Sequence, residues 1–125
     1  MEPRDELLQI PIGLLNDLSD AKSNQEILEC FAYWSQRIVQ CQRCSVALPE
    51  GDTLVLVGLS GEQVNPTGTK LPLVGTLAGK VYSERKSQSV SDLANQPSPF
   101  LQNLAAKGMK SLLIAPILAG DTCFG

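Results

Sequence analysis

Histidine is absent from this 125-residue chain. Without an imidazole, the commonest general base near neutral pH, the usual haem ligand and any Ser-His-Asp arrangement are all excluded. Cysteine is scarce, and the spacing of Cys30, Cys41, Cys44 and Cys123 does not repeat as a disulfide framework would. Reduced thiols are the expectation. Lysine and arginine total 10 against 13 acidic residues, a net charge of -3, and no run of basic residues occurs. That removes the electrostatic footprint of a nucleic-acid binder and of adhesion to an anionic membrane. The N-terminal Met1-Glu2-Pro3-Arg4-Asp5-Glu6 carries both signs of charge and leads into an interrupted apolar pattern, so neither a signal peptide nor a membrane span is expected there. The expected location is cytoplasmic, alone or as the cytoplasmic part of something larger.

What is present suffices for one domain. With 43% apolar residues, 125 positions can bury one genuine core and are too few for two. Between residues 5 and 20, Leu7, Leu8, Ile10, Leu14, Leu15 and Leu18 recur at mostly helical spacing, and Pro11 should interrupt or kink that lead-in helix. Ser23 stands three residues before Glu26, just ahead of an apolar run, which is the signature of a capping box. A helix is predicted from about Asn24 to Gln40, with Ile27, Phe31, Trp34 and Ile38 on one stripe. A second stripe of smaller residues, Leu28, Ala32, Ser35 and Val39, could lie against a helix or a sheet.

Farther on, Cys44 to Leu48 and the β-branched Thr53 to Val57 flank the dense turn signal Pro49-Glu50-Gly51-Asp52, which predicts a hairpin. Residues 60–70 have no periodicity and read as a loop. From Lys70 to Leu118 the pattern runs strand, short helix, strand, short helix, long apolar strand. Thr76 can cap the first short helix, where Ala78, Val81 and Tyr82 share a face. Ser91 or Asp92 can cap the next turn, and Phe100 to Lys107 is a helix closed by Gly108 in the left-handed position. Ser111 to Leu118 is apolar on both faces, so it is expected to be a strand covered from both sides, with Pro116 at a bulge or free edge.

This order of elements resembles the GAF family of small sensory domains, with Gly75, Gly79, Asp92, Gly108, Lys110, Ser111 and Pro116 at matching positions. The resemblance covers about Ile27 onward. It implies an α+β fold of α/β composition: a mainly antiparallel sheet with N-terminal helices on one face and the short helices and loops of residues 60–107 on the other. It also implies a division into a lead-in helix, residues 1–22, and a GAF-like domain, residues 23–125, lacking most of its last strand and its last helix. Ligand signatures of particular members are missing. The Asn-Lys-Phe with downstream Asp and Glu of cyclic-nucleotide binders has no match in Ser83 to Asn95. The Cys beside His of bilin binders and the His of haem binders are absent. The pocket thiols of members that reduce free methionine sulfoxide find no cysteine between Lys70 and Leu118.

Individual residues admit a functional and a plain reading. Cys41-Gln42-Arg43-Cys44 is a lone CxxC: zinc would need further ligands, and a position at a helix C-terminus disfavours a thiolate, so Cys44 is expected in the core and Cys41 at the helix end. Asp92 is the acid to choose for a ligand contact and also a natural N-cap. Tyr82 and Phe100 suit a pocket wall or the core. Lys110 could pair with an anion or simply be solvated. The ligand site implied by the resemblance comprises Leu73, Ala78, Tyr82, Asp92, Phe100 and Ser111. No cofactor or metal is assigned, and with only scattered Asp, Glu and Lys no catalysis is expected. The expected function is a sensory module of a larger signalling protein, in which a small molecule shifts a homodimer packed through the N-terminal helices. The alternative is a dimerising scaffold without ligand, its pocket filled by its own side chains.

Overall fold

The computed structural model describes residues 11–62 and 65–125, so the part of the lead-in helix before Pro11 lies outside the described residues. Helix α1, Ile12–Asp20, starts directly after Pro11, whose fixed φ of -59° leaves it at the N-cap. Helix α2 spans Asn24–Val39. At its start the Glu26 amide donates to Ser23 Oγ at 3.1 Å, and the Lys22 amide donates to the Glu26 carboxylate at 2.6 Å. The capping box is therefore formed one residue wide of the standard pattern, and it satisfies two backbone donors all the same. Gln40, with φ of 60°, ends α2 in the left-handed conformation. The indole Nε1 of Trp34 donates to Asp17 at 2.7 Å, and a side chain on Gly13 would collide with the indole ring. Those two contacts tie α1 to α2.

Strands β1, Arg43–Glu50, and β2, Thr53–Gly61, form the expected hairpin, and β3, Lys70–Pro72, adds to β2 in the sheet order β1-β2-β3. All pairings are antiparallel. The register slips between Val46 and Ala47, leaving Val57 as the extra residue of a bulge, and its carbonyl accepts from Gln25 Nε2 at 2.6 Å. A side chain of α2 thus pairs a backbone group that the bulge frees. Of the two stripes on α2, the smaller one meets this sheet through Ala32, which is 0% exposed, and Leu28, whose backbone abuts Gly58, while its last member Val39 stays 57% exposed; on the other stripe Phe31 and Ile38 remain 46% and 55% exposed.

Helix α3, Leu77–Glu84, is capped by Thr76, whose hydroxyl accepts from the Gly79 amide. It touches β2, β3 and the later strand β5. After β4, Gln88–Val90, come a 3-10 turn at Leu93–Asn95 and helix α4, Pro99–Ala106, closed by Gly108 at φ +98°. Strand β5, Leu112–Ile114, pairs with β4. A compact apolar cluster joins these pieces: Leu93, Leu101 and Leu104 are buried, with Leu77, Val90, Phe100, Ala105, Met109 and Leu112 packed around them.

The segment from Ser111 to Leu118 departs from expectation. Only Leu112–Ile114 pairs as strand β5, and it is covered on one side: Leu112 joins the apolar cluster, while Leu113 and Ile117 are 60% and 44% exposed. A strand buries both faces only when a layer lies on each, and no described residue supplies the second layer. Pro116 brings no amide to the ladder, and the chain turns into a small hairpin of β6, Leu118–Ala119, and β7, Thr122–Cys123. That hairpin is extended by the Phe124 amide donating to the Ile117 carbonyl at 2.8 Å. No helix among the described residues is long and apolar enough to cross a membrane.

Candidate functional site

Two turns build the main cleft. Two residues past the end of β4 comes Asp92, which adopts the left-handed conformation with φ of 55°. Asp is among the few side chains that tolerate that region, because its short carboxylate can bond locally. Here it accepts from Asn95 Nδ2 at 2.7 Å. It makes no side-chain cap bond to the turn that follows, so the expectation of an N-cap at this position gives way to an Asx-type contact between side chains. Opposite Asp92, Gly108 turns the chain out of α4 toward Met109, Lys110 and Ser111. The Leu93 amide donates to the Lys110 carbonyl at 3.1 Å and pins the two turns together.

The result is a cleft of about 520 Å³ bounded by Asp92, Leu93, Ala94, Ala105, Gly108, Met109, Lys110 and Ser111. Leu93, fully buried, connects it to the apolar cluster. The cleft is open to solvent: Asp92, Ala94, Gly108, Lys110 and Ser111 are exposed, and Ala105 and Met109 are half-buried. Among the described residues the Lys110 ammonium takes part in no ion pair, and Asp92 in none either.

Of the six ligand residues expected from the sequence, Asp92 and Ser111 meet in this cleft. Phe100 lies behind it, in the apolar cluster. Leu73, Ala78 and Tyr82 are half-buried and line neither this cleft nor the one beside Asp17 and Glu29. Leu73 sits where β3 meets α3, so close to Gly79 that a methyl group there would strike the Leu73 carbonyl. Met109, Ala94 and Ala105 were missed as lining residues. Their adjacency to Lys110, to Asp92 and to the helix stop at Gly108 was the available signal.

A second cleft, about 480 Å³, opens between α1, α2 and the end of β2, lined by Asp17, Asp20, Glu26, Glu29, Cys30, Tyr33 and Ser60 among others. Three of its acids are already engaged: Asp17 by Trp34, Glu26 by the Lys22 amide and Glu29 by Gln25. Burial and then the Asp17 charge push the Cys30 thiol up. No group of His, Cys, Asp or Glu among the described residues is arranged to hold a metal ion. At the CxxC, Cys41 is exposed just past α2 and Cys44 is half-buried in β1. Burial first, and the Cys41 sulfur second, push the Cys44 thiol up, which makes it a poorer nucleophile.

The architecture is that of a small α+β domain of antiparallel sheets and four helices. The pattern of the GAF domain family matches residues 23–125, and the chain belongs to that family. Among solved structures, the chain is similar to the GAF domain of a phosphoenolpyruvate-protein phosphotransferase from Coxiella burnetii, with a TM-score of 0.77 and 16% identity, over 98% of this chain and 76% of that one. It is also similar to the corresponding domain from Acinetobacter, with a TM-score of 0.75 and 14% identity, over 100% of this chain and 74% of that one. The phycocyanobilin-bound GAF domain of a cyanobacterial phytochrome matches with a TM-score of 0.69 and 16% identity, over 100% and 78%. At such identities these likenesses show the fold. No curated protein is similar enough to count as a relative. GAF domains are typically sensory or regulatory small-molecule-binding modules of signalling proteins.

Proposed function

We propose that this domain is the cytoplasmic sensory module of a larger signalling protein, in which a small molecule in the cleft at Asp92 and Ser111 biases the packing of a homodimer formed through α1 and α2. The observation that carries the reading is the cleft itself: about 520 Å³, with Ala105 and Met109 as its apolar part and Asp92, Lys110 and Ser111 as its polar part. Beneath the cleft, Leu77 of α3 packs against the cluster that holds Leu93, α3 touches β2, and β2 lies against α2. Occupancy acts on the helices only if the ligand prefers one of two arrangements of that packed chain.

On the helices, Ile12, Leu15, Phe31, Ile38 and Val39 leave large apolar surface in water, the kind that marks contact with another protein. This supports a second reading, a dimerising scaffold that needs no ligand. Light scattering at rising concentration and native mass spectrometry of the purified protein separate the two. A dimer whose stability rises with a bound metabolite supports the sensor, a dimer indifferent to a broad metabolite screen supports the scaffold, and a monomer at all concentrations overturns the helix interface in both.

A further inference from the structure

Where α2 hands over to β1, two free thiols flank one bend of the chain. Helix α2 ends at Val39, Gln40 takes the left-handed conformation, the chain bends at Gln42, and β1 begins at Arg43. Cys41 precedes the bend and Cys44 follows it. The Cys41 thiol donates to the Arg43 carbonyl at 3.2 Å, and that carbonyl belongs to the peptide group leading into Cys44. The bend thus folds the first sulfur back over the backbone of the second cysteine, and after burial the nearby Cys41 charge is the second cause that pushes the Cys44 thiol up. The same bend carries a latch between helix and sheet. Gln36 Nε2 donates to the Gln42 carbonyl at 3.0 Å, Gln36 Oε1 accepts from the Ser60 hydroxyl at 2.6 Å, and the Glu62 amide donates to the same Gln42 carbonyl at 3.1 Å. Gln42, lying between the two cysteines, therefore ties α2 and β1 to the end of β2.

We propose that Cys41 and Cys44 form a reversible disulfide that acts as a switch on the last turn of α2. The oxidant is a low-molecular-weight disulfide of the glutathione class. The Cys41 thiolate attacks one of its sulfurs, the S–S bond breaks, and one glutathione leaves as a thiolate. The Cys44 thiolate then attacks the Cys41 sulfur of the mixed disulfide and expels the second glutathione. Each protein thiol gives its proton to water on the way in, and each departing thiolate takes one up, so two protein thiols are oxidised while one glutathione disulfide is reduced to two thiols. The ring so closed runs through Gln42 and Arg43. Closing it turns the Gln42 carbonyl away from Gln36 and Glu62, and because α2 packs along both β1 and β2 the change passes into the helix layer. A place just past a helix C-terminus gives the pair a slow response and sets it apart from exchange catalysts, whose attacking thiol is activated at a helix N-terminus. The switch makes no use of the cleft at Asp92, and an empty cleft leaves it intact.

The test equilibrates the full chain with glutathione and glutathione disulfide at graded ratios, quenches with an alkylating agent and maps the cysteines by peptide mass spectrometry. The expected result is loss of two of the four free thiols to a peptide linking Cys41 with Cys44, reversed by dithiothreitol. The Gln36 side-chain amide should shift in NMR spectra as the bridge forms and return on reduction. In Cys44→Ser the glutathione adduct should stay on Cys41, and in Cys41→Ser the Cys44 thiol should remain free over the same time. A parent chain that stops at the Cys41 adduct, that links either cysteine to Cys30 or Cys123, or that stays reduced in glutathione disulfide alone overturns the pair. A Cys41–Cys44 bridge that leaves the Gln36 amide unmoved overturns the switch on α2.

Discussion

Gly58 is where α2 and the sheet come closest, and replacing it with alanine tests that geometry directly. A Cβ at this position would sit 2.6 Å from the Leu28 carbonyl oxygen, 2.8 Å from its carbon and 3.3 Å from the Glu29 nitrogen. All three are helix backbone, which cannot rotate out of the way as a side chain would. Relief requires α2 to lift by several tenths of an ångström, and α2 packs along both β1 and β2, so the displacement loosens contacts well beyond residue 58. Overpacking of this kind costs about 1–3 kcal/mol. Alanine also removes backbone freedom from the unfolded chain, worth about 0.5–1 kcal/mol in the opposite direction. The clash wins, and Gly58→Ala should destabilise by about 1–2 kcal/mol, lowering the melting temperature by about 4–8 °C. Urea unfolding followed by far-UV circular dichroism gives the free energy. The Gln25 side-chain amide, bonded to the Val57 carbonyl, should shift in NMR spectra as the helix lifts. A variant as stable as the parent, with that amide unmoved, refutes the close approach of α2 to β2.

Four further outcomes follow from the same structure. Leu93→Ala empties a fully buried position in the apolar cluster and should cost about 3 kcal/mol in chemical unfolding, whereas Leu113→Ala, on the exposed side of β5, should cost well under 1 kcal/mol. Gly108→Ala meets no atom within 4 Å, so its cost is the left-handed backbone alone, about 1 kcal/mol by the same measurement. The Cys44 thiol is raised in the fold, so the native state holds that proton more tightly than the unfolded chain does. Stability is accordingly level below the ordinary thiol value of 9.0 and falls as pH climbs past it, and Cys44→Ser should flatten part of that fall, Cys30 contributing the remainder. In timed alkylation at mildly alkaline pH, exposed Cys41 should be modified before Cys44.

Elements whose ends are written in neighbouring residues were legible without coordinates. Ser23 and Glu26 start α2, Thr76 starts α3, Gly51 and Asp52 turn the hairpin and Gly108 stops α4, because caps and turns are closed by hydrogen bonds and φ values within a few positions of one another. The family followed from the order of those elements. The segment from Ser111 to Leu118 shows where such reading ends. Its apolar pattern is that of a strand with two covers, but covers come from residues distant in the chain, and only the cluster around Leu93 arrives.

The site divides in the same way. Asp92 and Ser111 were legible as candidates, since each marks the edge of a local element. That they share a cleft with Lys110 and Met109, while Leu73, Ala78 and Tyr82 do not reach it, was settled by how β4 and β5 pair and by one hydrogen bond from Leu93 to Lys110. Local chemistry along the chain determined which elements form and of what kind. Long-range packing alone decided which face of α2 meets the sheet, which side of β5 is buried and which charges stand together, because burial and proximity belong to pairs of residues far apart in sequence, and no single stretch encodes its partner.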